Sequence, residues 1–290
     1  MRPPILVVSC LTLACVCAYG QAADASSFEV ASMKPASPSA TGIACTGGPG
    51  TADPGIWRCA NIPLWFLITH AYGFLPYEFA PRDSCCLARF DITARVPVGT
   101  TKEQFQRMLR NLLAERLKLT LHHEPKEMAL FELTVGKKGL NMKNSAPDAE
   151  PAQQDPPWAI PQYSIGQDGC PVFPAGRGGP TEGRFGCYRW TGSNLTMQEI
   201  VKTLSFHLGR KVVDATGLKG KYDIDMKWSI DVAWLTERAG LRDEIVPEDG
   251  PHGPTLVHAI RDQLGLELIS KKGPGDIVVV DHVEKVPTEN

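Results

Sequence analysis

The sequence predicts an α+β fold: two duplicated halves built from helix-strand-strand units, with the helices packed on small mixed or antiparallel sheets. Three observations predict it. Apolar residues recur with a helical period and then switch to a period of two, about four times along the chain. The clearest switch lies at 101–135, TKEQFQRMLRNLLAERLKLTLHHEPKEMALFELTV. Residue types also recur in order. Asn194-Leu195-Thr196-Met197 echoes Asn61-Ile62-Pro63-Leu64, and Tyr222-Asp223-Ile224-Asp225-Met226 echoes Phe90-Asp91-Ile92-Thr93-Ala94, at nearly equal spacing.

The N-terminus reads as an export signal over 1–23. Arg2 precedes an apolar run over 5–18, followed by the small residues Ala18, Gly20, Ala22 and Ala23, with cleavage placed after Gly20 or Ala23. The apolar run is too short to span a membrane, and no later stretch reaches the roughly 20 residues a spanning helix needs. The expectation is an exported chain, periplasmic or extracellular, with no membrane span once the signal is removed. Hydrophobic residues make up 43% of the chain and charged ones 21%, which is ordinary globular composition. A net charge of -2 argues against a nucleic-acid partner.

Outside the signal stand Cys45, Cys59, Cys85, Cys86, Cys170 and Cys187. An even number in an exported chain points to disulfides, though the count alone leaves the pairing open. Cys45 with Cys59 and Cys170 with Cys187 are favoured, because each pair brackets a Gly/Pro-rich loop with little core of its own. Closing such a loop stabilises by about 3 kcal/mol in the chain-entropy model. Cys85 and Cys86 are neighbours, and a bond between them is strained. Free thiols, or a pair only under oxidising conditions, are expected there. No CxxC spacing occurs, so a metal role for the cysteines is not expected.

The first half is placed at 28–143. Residues 28–33 alternate as a strand, 35–55 form a loop, and 57–60 form a short strand. Asn61 is read as a helix cap and Pro63 as its first turn. The stripe Leu64, Leu67, Ile68 and Ala71 follows, and Gly73 is the stop. Phe90, Ile92, Ala94 and Val96 then alternate with Asp91, Thr93 and Arg95, as on a strand. Thr101 and Gln104 fit a capping box before the stripe Phe105, Met108, Leu109, Leu112 and Leu113. Leu117, Leu119 and Leu121 alternate next. Pro125 and Lys126 read as a turn, and Ala129, Phe131, Leu133 and Val135 as the returning strand.

Residues 144–186 read as a Pro/Gly-rich linker. The second half is placed at 187–287. Thr196 and Glu199 cap a stripe of Met197, Ile200, Val201, Leu204 and Leu208, ended by Gly209. Val212 and Val213 lie in a strand, 217–220 turns, and 222–226 is a strand. An insertion over 229–254 carries a short helix at 232–239. Leu256, Val257, Ile260 and Leu264 mark the last helix, Gly273-Pro274-Gly275 a hairpin turn, and 277–283 the closing strand. The unbroken apolar run Val278-Val279-Val280 suggests cover on both faces.

Candidate chemistry is sparse, and no catalytic, cofactor or metal residue is assigned. His122 and Glu124 share a strand face and would need a third ligand to hold a metal. His282 stands beside Asp281, but neighbours on a strand point to opposite faces. His70, His207 and His258 sit on predicted helices and read as packed or solvent-facing. Gly47-Gly48-Pro49-Gly50 and Gly176-Arg177-Gly178-Gly179 lack the Lys-Ser/Thr ending of a phosphate loop. Asp91, Asp223 and Asp225 read as polar strand faces.

Several separated motifs occur in order: FEVASMKP, NIPLWFLITHAYG, RFDITARVP, the run from TKEQFQRMLRNLLAERLKL to LHHEPKEMALFEL, VVDATGLKGKYD and IVVVDHVEKVPTEN. Together they resemble a large paralogous set of exported proteins found mainly in soil acidobacteria, which carry a domain of unknown function. That resemblance implies export and no catalysis. Related domains beside membrane-bound sensor peptidases imply envelope sensing. The helix entered through Asn-Ile-Pro-Leu and followed by two strands is similar to the short N-terminal modules of secretins and TonB-dependent receptors, which implies binding to other proteins. The expected function is therefore a non-catalytic binding or scaffold protein of the cell envelope with an envelope protein as partner. The alternatives are an envelope hydrolase with an unrecognised site centred on His122 and Glu124, or a sensory module coupled to a membrane peptidase.

Overall fold

The computed structural model describes residues 27–79, 84–154, 163–184, 186–229 and 253–288. The signal at 1–23 and nearly all of the 229–254 insertion, with its helix at 232–239, lie outside the described residues.

Strand outweighs helix, 43% against 22%, and this corrects the expected fold class. The strands are β1 Val30–Pro35, β2 Ala44–Gly47, β3 Ile56–Pro63, β4 Arg89–Arg95, β5 Thr120–Val135, β6 Lys143–Asn144, β7 Ser164–Ile165, β8 Pro171–Val172, β9 Gly179–Glu182, β10 Cys187–Thr196, β11 Lys211–Asp214, β12 Lys221–Ser229 and β13 Leu266–His282. The helices are α1 Leu64–Tyr72, α2 Lys102–Leu117, α3 Met197–Leu208 and α4 Leu256–Ala259, the last running on into one π-helical turn, Ile260–Leu264. These strands form several small sheets: β1-β4-β3-β2, β6-β12-β10-β9, β11-β5-β13 and β7-β8. Two halves made of helix-strand-strand units, each with helices laid on its own sheet, are not what the chain builds.

The reason lies in β5 and β13. Each was expected to break into a hairpin, at Pro125-Lys126 and at Gly273-Pro274-Gly275. Instead each is one long strand, of 16 and 17 residues, and they pair antiparallel with each other from Val135↔Leu266 to Thr120↔His282. The prolines survive because of where their nitrogens point. Gly136 N–H bonds Gly265 O, so even-numbered residues of β5 face β13, and Ala215 N–H bonds Leu133 O, so odd-numbered residues face away. Pro125 is odd. Pro274, opposite Glu127, likewise points away from its partner. Neither ring removes a ladder bond, and each removes a donor from an outer edge, where proline is tolerated and discourages unwanted pairing. Gly273 and Gly275 have no Cβ to obstruct Leu130 and Met128, which would collide with one.

Apolar burial gathers in two clusters, and the clusters do not follow the chain halves. Trp57, Ile62, Leu64, Ile68, Phe90, Phe105, Leu109 and Leu113 form the heart of the first, and Val278 of the closing strand joins them. Phe105 meets Trp57 edge-on at 5.3 Å between ring centroids. Trp190, Ile200, Leu204, Met226, Ile260 and Leu266 form the second, joined by Leu133 and Met142 from earlier in the chain. Between the clusters residues 122–127 of β5 are exposed.

The helix caps are as the residues dictate. Thr101 with Gln104, and Thr196 with Glu199, make reciprocal capping boxes on α2 and α3. Asn61 is different. β3 runs through it to Pro63, which precedes α1, and Asn61 sits at a bulge with φ 55°. Asn194 holds φ 59° at the matching bulge in β10. Asparagine is among the few side chains that tolerate this left-handed region. The loop 35–55 contains β2, and the described part of 144–186 contains β7, β8 and β9.

The described cysteines form two disulfides, Cys45–Cys59 across β2 and β3, and Cys170–Cys187. Cys86 is buried; the side chain of Cys85 lies outside the description. No helix among the described residues is long and apolar enough to cross a membrane.

The proline geometry is testable by denaturant unfolding. Pro125→Thr should change stability by no more than about 0.5 kcal/mol, while raising self-association through the opened edge. Lys126→Pro, one residue on and facing β13, should cost about 1–3 kcal/mol because a ladder donor is lost. Equal effects of the two substitutions would refute the assigned strand orientation.

Candidate functional site

The strand pairing gathers titratable groups on the ribbon that the sequence placed far apart. His122 and Glu124 lie on one face of β5, as the period of two requires. A register shift between Val280 and His282 brings Asp281 to the same place. His122 Nδ1 is 2.6 Å from Asp281 Oδ1, and its Nε2 is 3.0 Å from Glu124 Oε1. Both ring nitrogens face carboxylates, so the imidazolium, which donates from both, is the favoured form. The hydrogen bonds to Glu124 and then Asp281 raise the His122 pKa above its ordinary value. On the opposite face His123 Nδ1 lies 2.8 Å from Asp276 Oδ2, and its ring meets Phe74 edge-on at 5.5 Å.

This arrangement clips β5 to β13. Its chemistry is that of exposed ion pairs, since the His122, Glu124 and Asp281 side chains are about half exposed. The two carboxylates sit on opposite nitrogens of one ring, so they do not converge on a common point. Among the described residues no group of three His, Cys, Asp or Glu side chains could hold a metal ion. Asp281 engages His122 across the ribbon, and His282 takes no part in that contact.

The remaining candidates are taken up by the fold. Asp91 Oδ1 accepts the Asn61 N–H at 2.8 Å, and Asn61 Nδ2 donates to Ala40 O and Gly42 O. Asp223 Oδ1 accepts the Asn194 N–H at 3.3 Å, and Asn194 Nδ2 donates to Ala149 O. Asp91 thus satisfies one amide that a bulge exposes, and Asp223 shares the other with Ser145 Oγ, which accepts the Asn194 N–H at 3.0 Å and itself donates to Asp223. Asp225 receives a two-pronged hydrogen bond from Arg189, both arms 2.9 Å. The Gly48 amide bonds Asp53 O and Ile56 O, and Gly178 N–H bonds Gln153 O, so these glycine loops turn their amides inward. His258 stands on α4.

His70 and His207 are held neutral. The His70 ring stacks on Phe66 at 3.8 Å, with Nδ1 2.8 Å from Phe66 O, and burial lowers its pKa to about 4. His207 sits edge-on to Tyr188 and Trp228, themselves stacked at 5.2 Å, and burial lowers its pKa to about 4 as well.

Sequence reasoning missed a cleft of about 230 Å³ between β1 and α2. It is lined by Phe28, Glu29, Val30 and Ala31 on one side and by Met108, Asn111, Leu112, Glu115 and Arg116 on the other. The helix residues fall at i, i+3, i+4, i+7 and i+8; Met108 and Leu112 belong to the buried stripe, and Asn111, Glu115 and Arg116 flank it. That spacing was present in the sequence, but nothing there said what it faced.

The histidines make opposite pH predictions. His70 and His207 have depressed values, so their neutral forms stabilise above the ordinary 6.5 and lose that contribution as pH falls toward 4. Because both rings retain some exposure, a discounted figure of roughly 1–2 kcal/mol each is expected. His207→Phe should flatten the wild-type slope of unfolding free energy between pH 6.5 and 4. His122 has a raised value, so its contribution is complete below 6.5 and lost as pH rises through the folded value. His122→Gln should remove a small stability decrease above pH 6.5. Superimposable pH curves for wild type and His207→Phe would show that His207 is not held neutral by burial.

A family model described as "Protein of unknown function (DUF3738)" matches residues 66–283. No curated protein and no solved structure matches the chain. Running from within α1 to just past the end of β13, the match covers most of the chain, and the chain belongs to that family.

Proposed function

We propose that this is an exported protein of the cell envelope, delivered by the segment 1–23 to the periplasm or the outside of the cell, where it binds or scaffolds another protein rather than catalysing a reaction. The observation that carries this reading is open backbone at the sheet borders. β1 and β2 border one sheet and β9 another, each with one side not covered by a further strand among the described residues. Such edges support recognition by strand addition, in which main-chain bonds give affinity and alternate side chains give specificity. Two disulfides support an oxidising compartment. The motif likeness to exported proteins of soil acidobacteria supports the same location, and the likeness of the Asn-Ile-Pro-Leu segment to secretin and TonB-receptor modules supports a protein partner.

An envelope hydrolase centred on His122 and Glu124 is favoured by one observation, the approach of Asp281 to His122. The same contacts weigh against it, since a general base needs a free ring nitrogen and both are engaged.

Crosslinking pull-down from envelope fractions with the mature chain should enrich a specific partner over a control protein of similar charge. Recovery of background proteins alone would defeat the binding reading. Stoichiometric zinc in the purified chain, lost in His122→Ala, would put the hydrolase first.

A further inference from the structure

The open side of β1 can be located atom by atom. Ala36 N–H bonds Arg89 O, and Pro35 stands opposite Phe90, so the even-numbered residues of β1 face β4. Val96 N–H bonds Gly55 O, which turns the even residues of β4 toward β3 and leaves its odd ones for β1, in agreement. Ala31 and Met33 therefore direct their N–H and C=O groups away from the sheet, and no strand lies beyond them among the described residues. Pro35 follows at the same outward parity and has no donor, which closes the open stretch at that end.

That open stretch borders the cleft. One wall is residues 27–31, where the Glu29 N–H is taken by Arg95 O and the outward backbone begins at Ala31; the other is Met108, Asn111, Leu112, Glu115 and Arg116 of α2. An edge strand running beside a helix is the geometry in which an added strand gains main-chain bonds on one side and side-chain contacts on the other. The volume decides what enters. At about 230 Å³ the cleft is smaller than the roughly 300–1,000 Å³ of small-molecule sites, and suits an anchoring side chain of a longer segment. Its charge selects the flank. Glu29 and Glu115 line it without an ion-pair partner among the described residues, while the Arg116 guanidinium donates to Thr288 O at 3.2 Å.

We infer that this cleft receives an extended segment of a partner protein, which pairs with the outward backbone of Ala31 and Met33, directs an apolar side chain toward Leu112, and sets a basic side chain beside Glu29 and Glu115. The inference rests on the binding-protein reading and specifies its surface and the chemistry of its partner.

Two synthetic ten-residue peptides test it, both alternating threonine with apolar residues, one flanked by lysine and one by glutamate. Binding to the mature chain is read by fluorescence anisotropy. The lysine peptide should bind about two- to fivefold more tightly than the glutamate peptide, as cross-strand charge pairs dictate, and Glu115→Arg should reverse the order. On binding, the Ala31 and Met33 amides should become protected from hydrogen exchange. Ala31→Pro removes an outward donor without touching the ladder to β4, and should weaken binding at least about tenfold while leaving the thermal unfolding temperature near wild type. If that variant is destabilised, Glu115→Arg and the exchange readout still decide. Binding of neither peptide, or binding with no protection at Ala31 and Met33, overturns the assignment. So does a stable dimer that buries β1, or a chain that binds the peptides only when it begins at Ser27, since the occupant would then be a second copy or the preceding segment. A partner retained by Ala31→Pro in the envelope pull-down would leave the binding-protein reading standing and remove only this surface.

Discussion

The fold depends on the antiparallel pairing of β5 with β13. It joins residues from the middle of the chain to residues near its end, and its two ends sit in different apolar clusters. Leu119 and Val278 are buried at one end with Trp57 and Phe105; Leu133 and Leu266 are buried at the other with Trp190 and Met226. Neither cluster is complete without a strand from the far part of the chain. A two-stranded ribbon is marginal by itself, and here it is held by the apolar packing at its ends and by cross-strand contacts between. His122 with Asp281, His123 with Asp276 and Lys271 with Glu132 each link β5 to β13.

The same ribbon explains how polar residues are used. Its carboxylates, and those of the neighbouring sheets, serve local backbone needs or strand pairing. Asp91 and Asp223 accept amides at two bulges whose asparagines occupy the left-handed region, so each bulge is stabilised by a side chain from the neighbouring strand. Asp276 and Asp281 fasten the ribbon. The histidines divide by environment. His122 is exposed between carboxylates and is favoured as a cation, whereas His70 and His207 lie against aromatic rings and are favoured neutral. What remains accessible is backbone at the sheet edges, and the proline at each outer edge of the ribbon discourages strand addition there. β1 offers an open stretch beside a helix.

Much of the local structure was legible, because local structure answers to near neighbours. The stripe from Phe105 to Leu113, both capping boxes, the alternation at Phe90 to Val96, and Gly73 and Gly209 as left-handed helix ends all follow from spacing and backbone sterics. The errors arose where a residue's meaning depended on a distant strand. Pro125 and Gly273-Pro274-Gly275 carry strong turn signals, and those signals hold only if the segment must fold back on itself. Asn61 is a good helix cap by type, yet with Asp91 thirty positions away to receive its amide it serves a bulge instead. The contact of His122 with Asp281 could not be foreseen, since it depends on a register shift in a pairing of which the sequence carries no direct sign.

The amino-acid sequence by itself determined the period of α2, α3 and β4, the capping boxes and glycine ends of the helices, and the short loops in which Cys45 and Cys59, and Cys170 and Cys187, lie close enough to pair. These depend on interactions between residues near one another in the chain, so periodicity and spacing report them. The tertiary structure alone decided that two prolines would stand in the middle of strands, that one ribbon would serve two cores, and that a cleft would open beside β1. Those outcomes depend on which strands find each other, and a strand's apolar alternation says that it needs a partner without saying which.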